Sequence, residues 1–258
     1  MKFDIFTLLP DVFEPYLSAS ILARAREKQI IEVSVHDIRS FTTDRHHVTD
    51  DTPYGGGGGM VMKPEPVFTA VESVLGSPPS CPVIFLTPQG RVFNQKVAIE
   101  LSRLPHLALL CGRYEGIDER IREHLVTDQI SLGDYVLTGG ELPALVMLDA
   151  ISRLLPGVLG DPEGAWDDSH ASGLLEYPHY TRPPEFRGWT VPGVLLSGNH
   201  AQIKKWRRQQ SIIRTYQQRP DMLDGVELNK EDKKFLEEIV KAKKKFPENN
   251  SEQGENYD

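Results

Sequence analysis

The sequence predicts an α/β domain with a largely parallel sheet, followed by a smaller helical region. Three observations carry this. Short apolar runs alternate with helical patterns through residues 1–155, the signature of strands crossed over by helices. Two glycine-punctuated stretches, Cys111-Gly112-Arg113-Tyr114-Glu115-Gly116-Ile117-Asp118 and Ile130-Ser131-Leu132-Gly133-Asp134-Tyr135-Val136-Leu137-Thr138-Gly139-Gly140-Glu141, each lie between an apolar run and a helical pattern. The composition then changes after residue 157, first to Gly, Pro and acids and then to a basic helix.

Taken in order, residues 2–9 form a strand closed by Pro10, and residues 18–28 a helix that Ser18 or Ser20 can cap. Residues 30–38 alternate β-branched positions and form a strand. Residues 42–60 are polar, then glycine-rich, and form a long loop. Helices follow at 64–75, with proline in the first turn, and at 94–104; strands fall at 82–86 and 107–111. A short helix at 118–124, a strand at 126–131 and a helix at 140–155 complete the domain. In parallel sheets ligands bind beyond the carboxyl ends of the strands, where both glycine stretches would lie. The boundaries expected are a domain at 1–160, an irregular linker at 161–192, a helical domain at 193–246 and a disordered acidic tail at 247–258. The two helices of the second domain fall at 201–218 and 229–245.

With 258 residues, 39% of them hydrophobic, the chain can bury a substantial core. A net charge of −8 excludes a chain that is basic throughout. Two cysteines, Cys81 and Cys111, point to a reducing compartment rather than a disulfide scaffold. No apolar stretch is long enough to span a bilayer, and Met1-Lys2-Phe3-Asp4-Ile5-Phe6 lacks a signal-peptide layout. A cytoplasmic protein without a membrane partner is expected.

The five glycines at 55–59 fail the phosphate-binding spacings. Met60-Val61-Met62 stands where a P-loop needs Gly-Lys-Ser/Thr, and where a dinucleotide fingerprint needs its last glycine. These residues alone fit a ligand-touching loop or mere looseness. Residues 199–219 hold Lys204, Lys205, Arg207, Arg208, Arg214 and Arg219 with no acid, interleaved with Trp206 and Tyr216. That pattern fits either a phosphate-binding face with stacking aromatics or a solvated basic face with Trp206 in the core. Asp167-Asp168-Ser169-His170 fits a turn as well as nucleophilic chemistry, since triads assemble in space and not in sequence. His46-His47 lacks partners at metal-ligand spacing. Arg153 suits a helix C-terminus, or an anion contact.

Five stretches in this order resemble the TrmD family of bacterial tRNA (guanine-N1-)-methyltransferases, of the SPOUT class. They are Pro53-Tyr54-Gly55-Gly56-Gly57, the two glycine stretches from Gly112 and Ile130, Pro178-His179-Tyr180-Thr181-Arg182-Pro183, and Leu195-Leu196-Ser197-Gly198-Asn199-His200. The resemblance runs from Phe6-Thr7-Leu8-Leu9-Pro10 to about Leu223. Gly58, where relatives often carry another small residue or proline, and His170, where they often carry an aromatic, depart from it.

The resemblance implies methyl transfer from S-adenosylmethionine to N1 of the guanosine immediately 3′ of the tRNA anticodon, which maintains reading frame. It implies a parallel-sheet SPOUT domain with a deep trefoil knot, a small helical C-terminal domain that binds tRNA, and a homodimer with composite active sites. The knot rests on the resemblance alone, because chain connections are as a rule un-knotted. Leu86, Gly112, Glu115, Gly116, Leu132, Gly133, Asp134, Tyr135, Val136, Leu137, Gly139 and Gly140 match the cofactor site. Asp168 matches the general base and Arg153 a residue near the target guanine. Lys204, Lys205, Arg207 and Arg208 become candidate RNA contacts. Mg2+ assists catalysis in relatives, but the sequence offers no dedicated ligand cluster for it. The alternative is a non-catalytic RNA-binding protein that retains the fold, disfavoured by the joint presence of Arg153, Asp168 and the cofactor loops.

Overall fold

The computed structural model describes residues 1–160 and 168–245. Residues 161–167 of the expected linker, Asp167 among them, and the expected tail at 247–258 lie outside the described residues. The chain divides into two compact units, Met1–Ala165 and Trp166–Asp258.

The first unit is built on five parallel strands: β1 (Lys2–Thr7), β2 (Glu32–Asp37), β5 (Val83–Val92), β6 (His106–Cys111) and β7 (Asp128–Ser131), in the order β2-β1-β6-β5-β7. Alternation along β1 sends Phe3 and Ile5 to one face and Phe6 to the other, so both faces need cover. Helices α2 (Ser20–Glu27), α4 (Gln95–Ser102) and α6 (Glu141–Ser152) cover the first face. Helices α3 (Pro64–Leu75) and α5 (Glu119–His124) cover the second. In α3 the residues Val67, Ala70, Val71 and Leu75 recur at helical spacing and are buried. Asn94 and Asp118 cap α4 and α5, accepting from Val97 N at 3.1 Å and Arg120 N at 3.0 Å.

Three local expectations need correction. Neither Ser18 nor Ser20 caps α2; Ala19 holds the cap position, and Ser18 Oγ donates back to Glu14 O at 2.8 Å, closing the short helix α1 (Glu14–Leu17) instead. The loop at 42–60 contains the two-residue strand β3 (Asp50–Asp51), paired antiparallel with β4 (Val61–Met62). The segment expected to be irregular holds a hairpin, β8 (Glu185–Phe186) and β9 (Trp189–Thr190).

A buried charge cluster ties three strands together. Asp4 is fully buried, and its carboxylate meets His36 Nε2 and His106 Nε2, each at 2.6 Å, and Lys2 Nζ at 3.3 Å. Burial by itself raises the Asp4 pKa, but the hydrogen bonds from His36, His106 and Lys2 outweigh it and hold the group down at about 2. A folded-state pKa below the unfolded value of 3.8 stabilises the fold above that value, and the gain is lost as pH falls through about 2. Asp4→Asn is therefore expected to cost about 2 kcal/mol in urea unfolding at pH 7. The deficit should shrink as pH is lowered towards 2; an equal deficit at both ends would contradict this account.

The second unit has its own small core. Helix α7 (Gly193–Leu196) leads to α8 (His200–Gln218), capped by Asn199 Oδ1, which accepts from Gln202 N at 3.2 Å. Helix α9 (Lys230–Lys245) packs on α8. Ile212 and Leu174 are buried there, and Arg208 donates from Nε and Nη2 to the buried Asp232 carboxylate at 3.1 and 2.9 Å. Among the described residues no helix is long and apolar enough to cross a membrane.

Candidate functional site

At the carboxyl ends of β5, β6 and β7 the chain leaves the sheet in three loops, which enclose a cleft of about 380 Å³. The first is a detour within β5. Leu86 and Arg91 both pair with Ile130, so Thr87–Gly90 bulges out between them. The second, after β6, turns at Tyr114 and Gly116, where Gly116 N donates to Arg113 O at 3.1 Å. The third runs from Leu132 to Gly140 and enters α6.

The second and third loops are stitched to each other by backbone. Gly140 N donates to Gly112 O at 3.0 Å, and Arg113 bridges Gly139 antiparallel. A Cβ on Gly140 would stand 2.6 Å from Cys111 Cα, so only glycine permits this approach. Gly116 lines the cleft at φ +132° with open space where a Cβ would be; a side chain there would occupy cleft volume.

A buried carboxylate sits behind the junction. Glu141 Oε1 accepts from Thr7 Oγ1 at 2.8 Å and lies 3.5 Å from Arg113 Nε, while Arg113 Nη1 donates to Thr138 O at 2.9 Å. Glu141 thus fixes Arg113, and Arg113 fixes the third loop. The neighbouring Cys111 is fully buried; burial, reinforced by the charge of Glu141, pushes its thiol well above the usual range, so it is not a nucleophile.

Of the residues that the family resemblance matches to a cofactor site, Leu86, Gly112, Glu115, Gly116, Leu132, Tyr135, Val136, Leu137, Gly139 and Gly140 all line this cleft. Gly133 and Asp134 do not. They make the turn that carries Tyr135 inward: Gly133 N donates to Ser131 Oγ at 3.1 Å, and Tyr135 N to Gly133 O at 2.9 Å. The sequence reading passed over Pro88, Gln89 and Arg122, which also line the cleft. Arg122 lies over the Phe85 ring at 5.5 Å and donates to Gln129 Oε1 at 3.1 Å and to Gln89 Oε1. The turn pair Pro88 and Gly90 was the only signal of this rim.

Arg153 is half-buried at the C-cap of α6, its N donating to Asp149 O at 3.1 Å. It does not line the cleft: α6 has 12 residues, and its rise separates the two ends by roughly 18 Å. Asp168 belongs to the second unit, half-buried in a turn where its carbonyl accepts from Ala171 N at 3.2 Å.

The four candidate RNA contacts differ. Lys204 and Lys205 are exposed, Arg207 stacks over Tyr177 at 4.7 Å, and Arg208 is taken up by Asp232. Arg214 donates to Glu176 O at 3.1 Å, and Arg219 pairs with Asp221 at 2.6 Å, so the basic run is partly structural. Among the described residues no group of three or more His, Cys, Asp or Glu is placed to hold a metal ion.

A family profile described as tRNA (Guanine-1)-methyltransferase TrmD matches residues 1–225. Proteins named tRNA (guanine-N(1)-)-methyltransferase are close in sequence. One from Dehalococcoides mccartyi is 56% identical over 241 residues, covering 93% of this chain and 97% of its own. One from Geobacter sp. is 58% identical over 242 residues, covering 94% and 97%, and one from Brevibacillus brevis 56% over 244 residues, covering 95% and 100%. With the profile matching residues 1–225 and the similarity running over almost the whole chain, the chain belongs to the tRNA (guanine-1)-methyltransferase TrmD family.

Proposed function

We infer that the protein transfers a methyl group from S-adenosylmethionine to N1 of the tRNA guanosine immediately 3′ of the anticodon. The observation that carries this reading is the cleft whose second and third walls meet through Gly112, Gly139 and Gly140, in a chain similar to these methyltransferases over almost its whole length. Its volume and its glycine-lined walls suit an adenosyl group. S-adenosylmethionine supplies an electrophilic methyl on a sulfonium. Tyr135, Val136 and Leu137, all exposed, would cover it, and Glu115 would stand at the mouth of the cleft beside Gly59.

Guanine N1 is protonated at neutral pH and attacks poorly until that proton leaves. The Asp168 carboxylate takes the proton as the N1–methyl bond forms and the sulfur–methyl bond breaks. Charge spreads onto O6, where the Arg153 guanidinium stabilises it. The target base leaves its stack to reach the donor.

Because Arg153 lies a helix length from the cleft of its own chain, we assign the base-side groups to a homodimer with composite sites. The exposed apolar face of Val12, Tyr16, Leu142 and Val146 is the surface for the second copy. Tyr16 and Asp149 hydrogen-bond across this face, which joins α1 to α6. The tight crossing of Gly140 over Cys111 is the place where a trefoil knot would close. The helical second unit binds tRNA, and the cytoplasm is the compartment of the reaction.

Incubation with labelled S-adenosylmethionine and unmodified tRNA, followed by mapping, should place the label on N1 of that guanosine. Label on another nucleotide, or none, would refute the assignment. Exchanging exposed Lys204 and Lys205 for glutamine should flatten the salt dependence of tRNA binding by about one unit of slope per lost phosphate contact. An unchanged slope removes both from the interface.

A further inference from the structure

The hairpin of β8 and β9 plays no part in the chemistry above, yet it is built with care. Its two-residue turn has Arg187 at φ +55° and Gly188 at φ +83°, the left-handed pair that matches the twist of a tight hairpin. Val191 N donates to Pro184 O at 2.9 Å and closes its base. Every residue from 181 to 190 is exposed. Within that stretch stand two large aromatics, Phe186 at 55% and Trp189 at 70% exposure, their ring centroids 6.2 Å apart. The Arg187 guanidinium lies 5.1 Å from the Phe186 centroid. An ordered turn that presents two uncovered aromatics is a surface awaiting a partner.

We propose that Phe186, Arg187 and Trp189 form a stacking platform for unpaired bases of the bound tRNA, distinct from the catalytic cleft. The charge pattern selects RNA over protein. Arg182 precedes the aromatics and Arg187 stands between them, against the single acid Glu185 of the hairpin, and through the Tyr180–Trp206 ring contact at 6.5 Å the same segment continues onto the helix that carries Lys204, Lys205 and Arg207. Aromatic faces interleaved with arginine, beside a basic helix, are what single-stranded nucleic acid needs: stacking for the bases and cations for the phosphates. A second copy of the chain has a better matched surface in the exposed apolar side chains Tyr16, Leu142 and Val146 on α1 and α6 of the first unit.

This proposal rests on the tRNA methyltransferase reading, and the test separates the two. In the full-length protein, Phe186→Ala/Trp189→Ala is expected to raise KM for tRNA by roughly 10-fold to 100-fold. S-adenosylmethionine binding should not change. The salt slope of tRNA binding should also stay at the wild-type value, because stacking releases no counterions. The Trp189→Phe variant, which keeps an aromatic face, should restore most of the affinity. A wild-type KM for tRNA in the double alanine variant overturns the platform, as does loss of affinity that Trp189→Phe fails to restore. A change of oligomeric state with tRNA affinity intact would show that the hairpin is covered by protein, and overturns it too. Absence of methylated tRNA with the wild-type protein would instead refute the enzymatic reading.

Discussion

Asp168→Ala is expected to reduce methyl transfer at saturating substrates by roughly 10²- to 10⁴-fold, the usual worth of a positioned general base. Binding of S-adenosylmethionine should be retained, because the cleft is formed by loops of the first unit and Asp168 belongs to the second. Asp168→Asn should be as inactive as the alanine variant, since an amide of the same size cannot accept the N1 proton. That pair separates chemistry from packing. Equilibrium titration of S-adenosylmethionine and single-turnover methylation measure the two quantities independently. Turnover at the wild-type rate in either variant would remove Asp168 from the reaction. A parallel loss of S-adenosylmethionine affinity would move it into the donor site.

Gly140→Ala should have the opposite signature, weakening donor binding before any chemistry. The Gly140 backbone is helical, at φ −83° and ψ −4°, so alanine faces no conformational strain there. The difficulty is space. The added methyl would lie 2.6 Å from Cys111 Cα and 3.1 Å from Gly112 N, both backbone atoms of a buried strand end. Relief requires the third loop to lift away from the second, which breaks the Gly140–Gly112 hydrogen bond and unseats Arg113 from Thr138. A loss of about 2–3 kcal/mol in stability and of at least tenfold in donor affinity is expected, in the range of overpacked cores. Gly58→Ala is the control: its φ is not in the left-handed region and nothing lies within 4 Å of its added methyl, so stability should change by less than about 0.5 kcal/mol. Equal donor affinity in Gly140→Ala and wild type would refute the packing argument.

Most of the first unit was legible because its elements obey period and punctuation. Residues 64–75 match α3 end to end, since Pro64 opens the helix and Gly76, at φ +84°, ends it. The strand at 82–86 was cut short for a physical reason. Its apolar run stops at Leu86, but β5 resumes beyond the Thr87–Gly90 bulge, where Arg91 pairs with Ile130 and Val92 with Ser131. Polar residues that pair in the ladder leave no apolar period to read. The hairpin was missed because two-residue strands are too short to show alternation, and prolines at 183, 184 and 192 mask the Arg187-Gly188 turn.

At the site, glycine spacing located both loops. It could not reveal Glu141, whose importance comes from its burial against Thr7, a residue 134 positions away. Nor could charge counting along residues 199–219 show that Arg208 answers Asp232 across 24 positions. The assignments of Asp168 and Arg153 came from resemblance, because no local pattern distinguishes a catalytic aspartate in a turn from an ordinary one.

The composite site is tested most directly by mixing two inactive chains. One carries Asp168→Ala. The other carries Leu137→Arg, which drives a long cation into the cleft from a position 39% exposed, leaving the core untouched. If Asp168 of one protomer serves the cleft of its partner, each mixed dimer holds one site with both defects and one with none. Methylation of tRNA should then return to about half the wild-type rate per mixed dimer. Mixed dimers that form but stay inactive would contradict the account, placing Asp168 and the cleft it serves in the same chain.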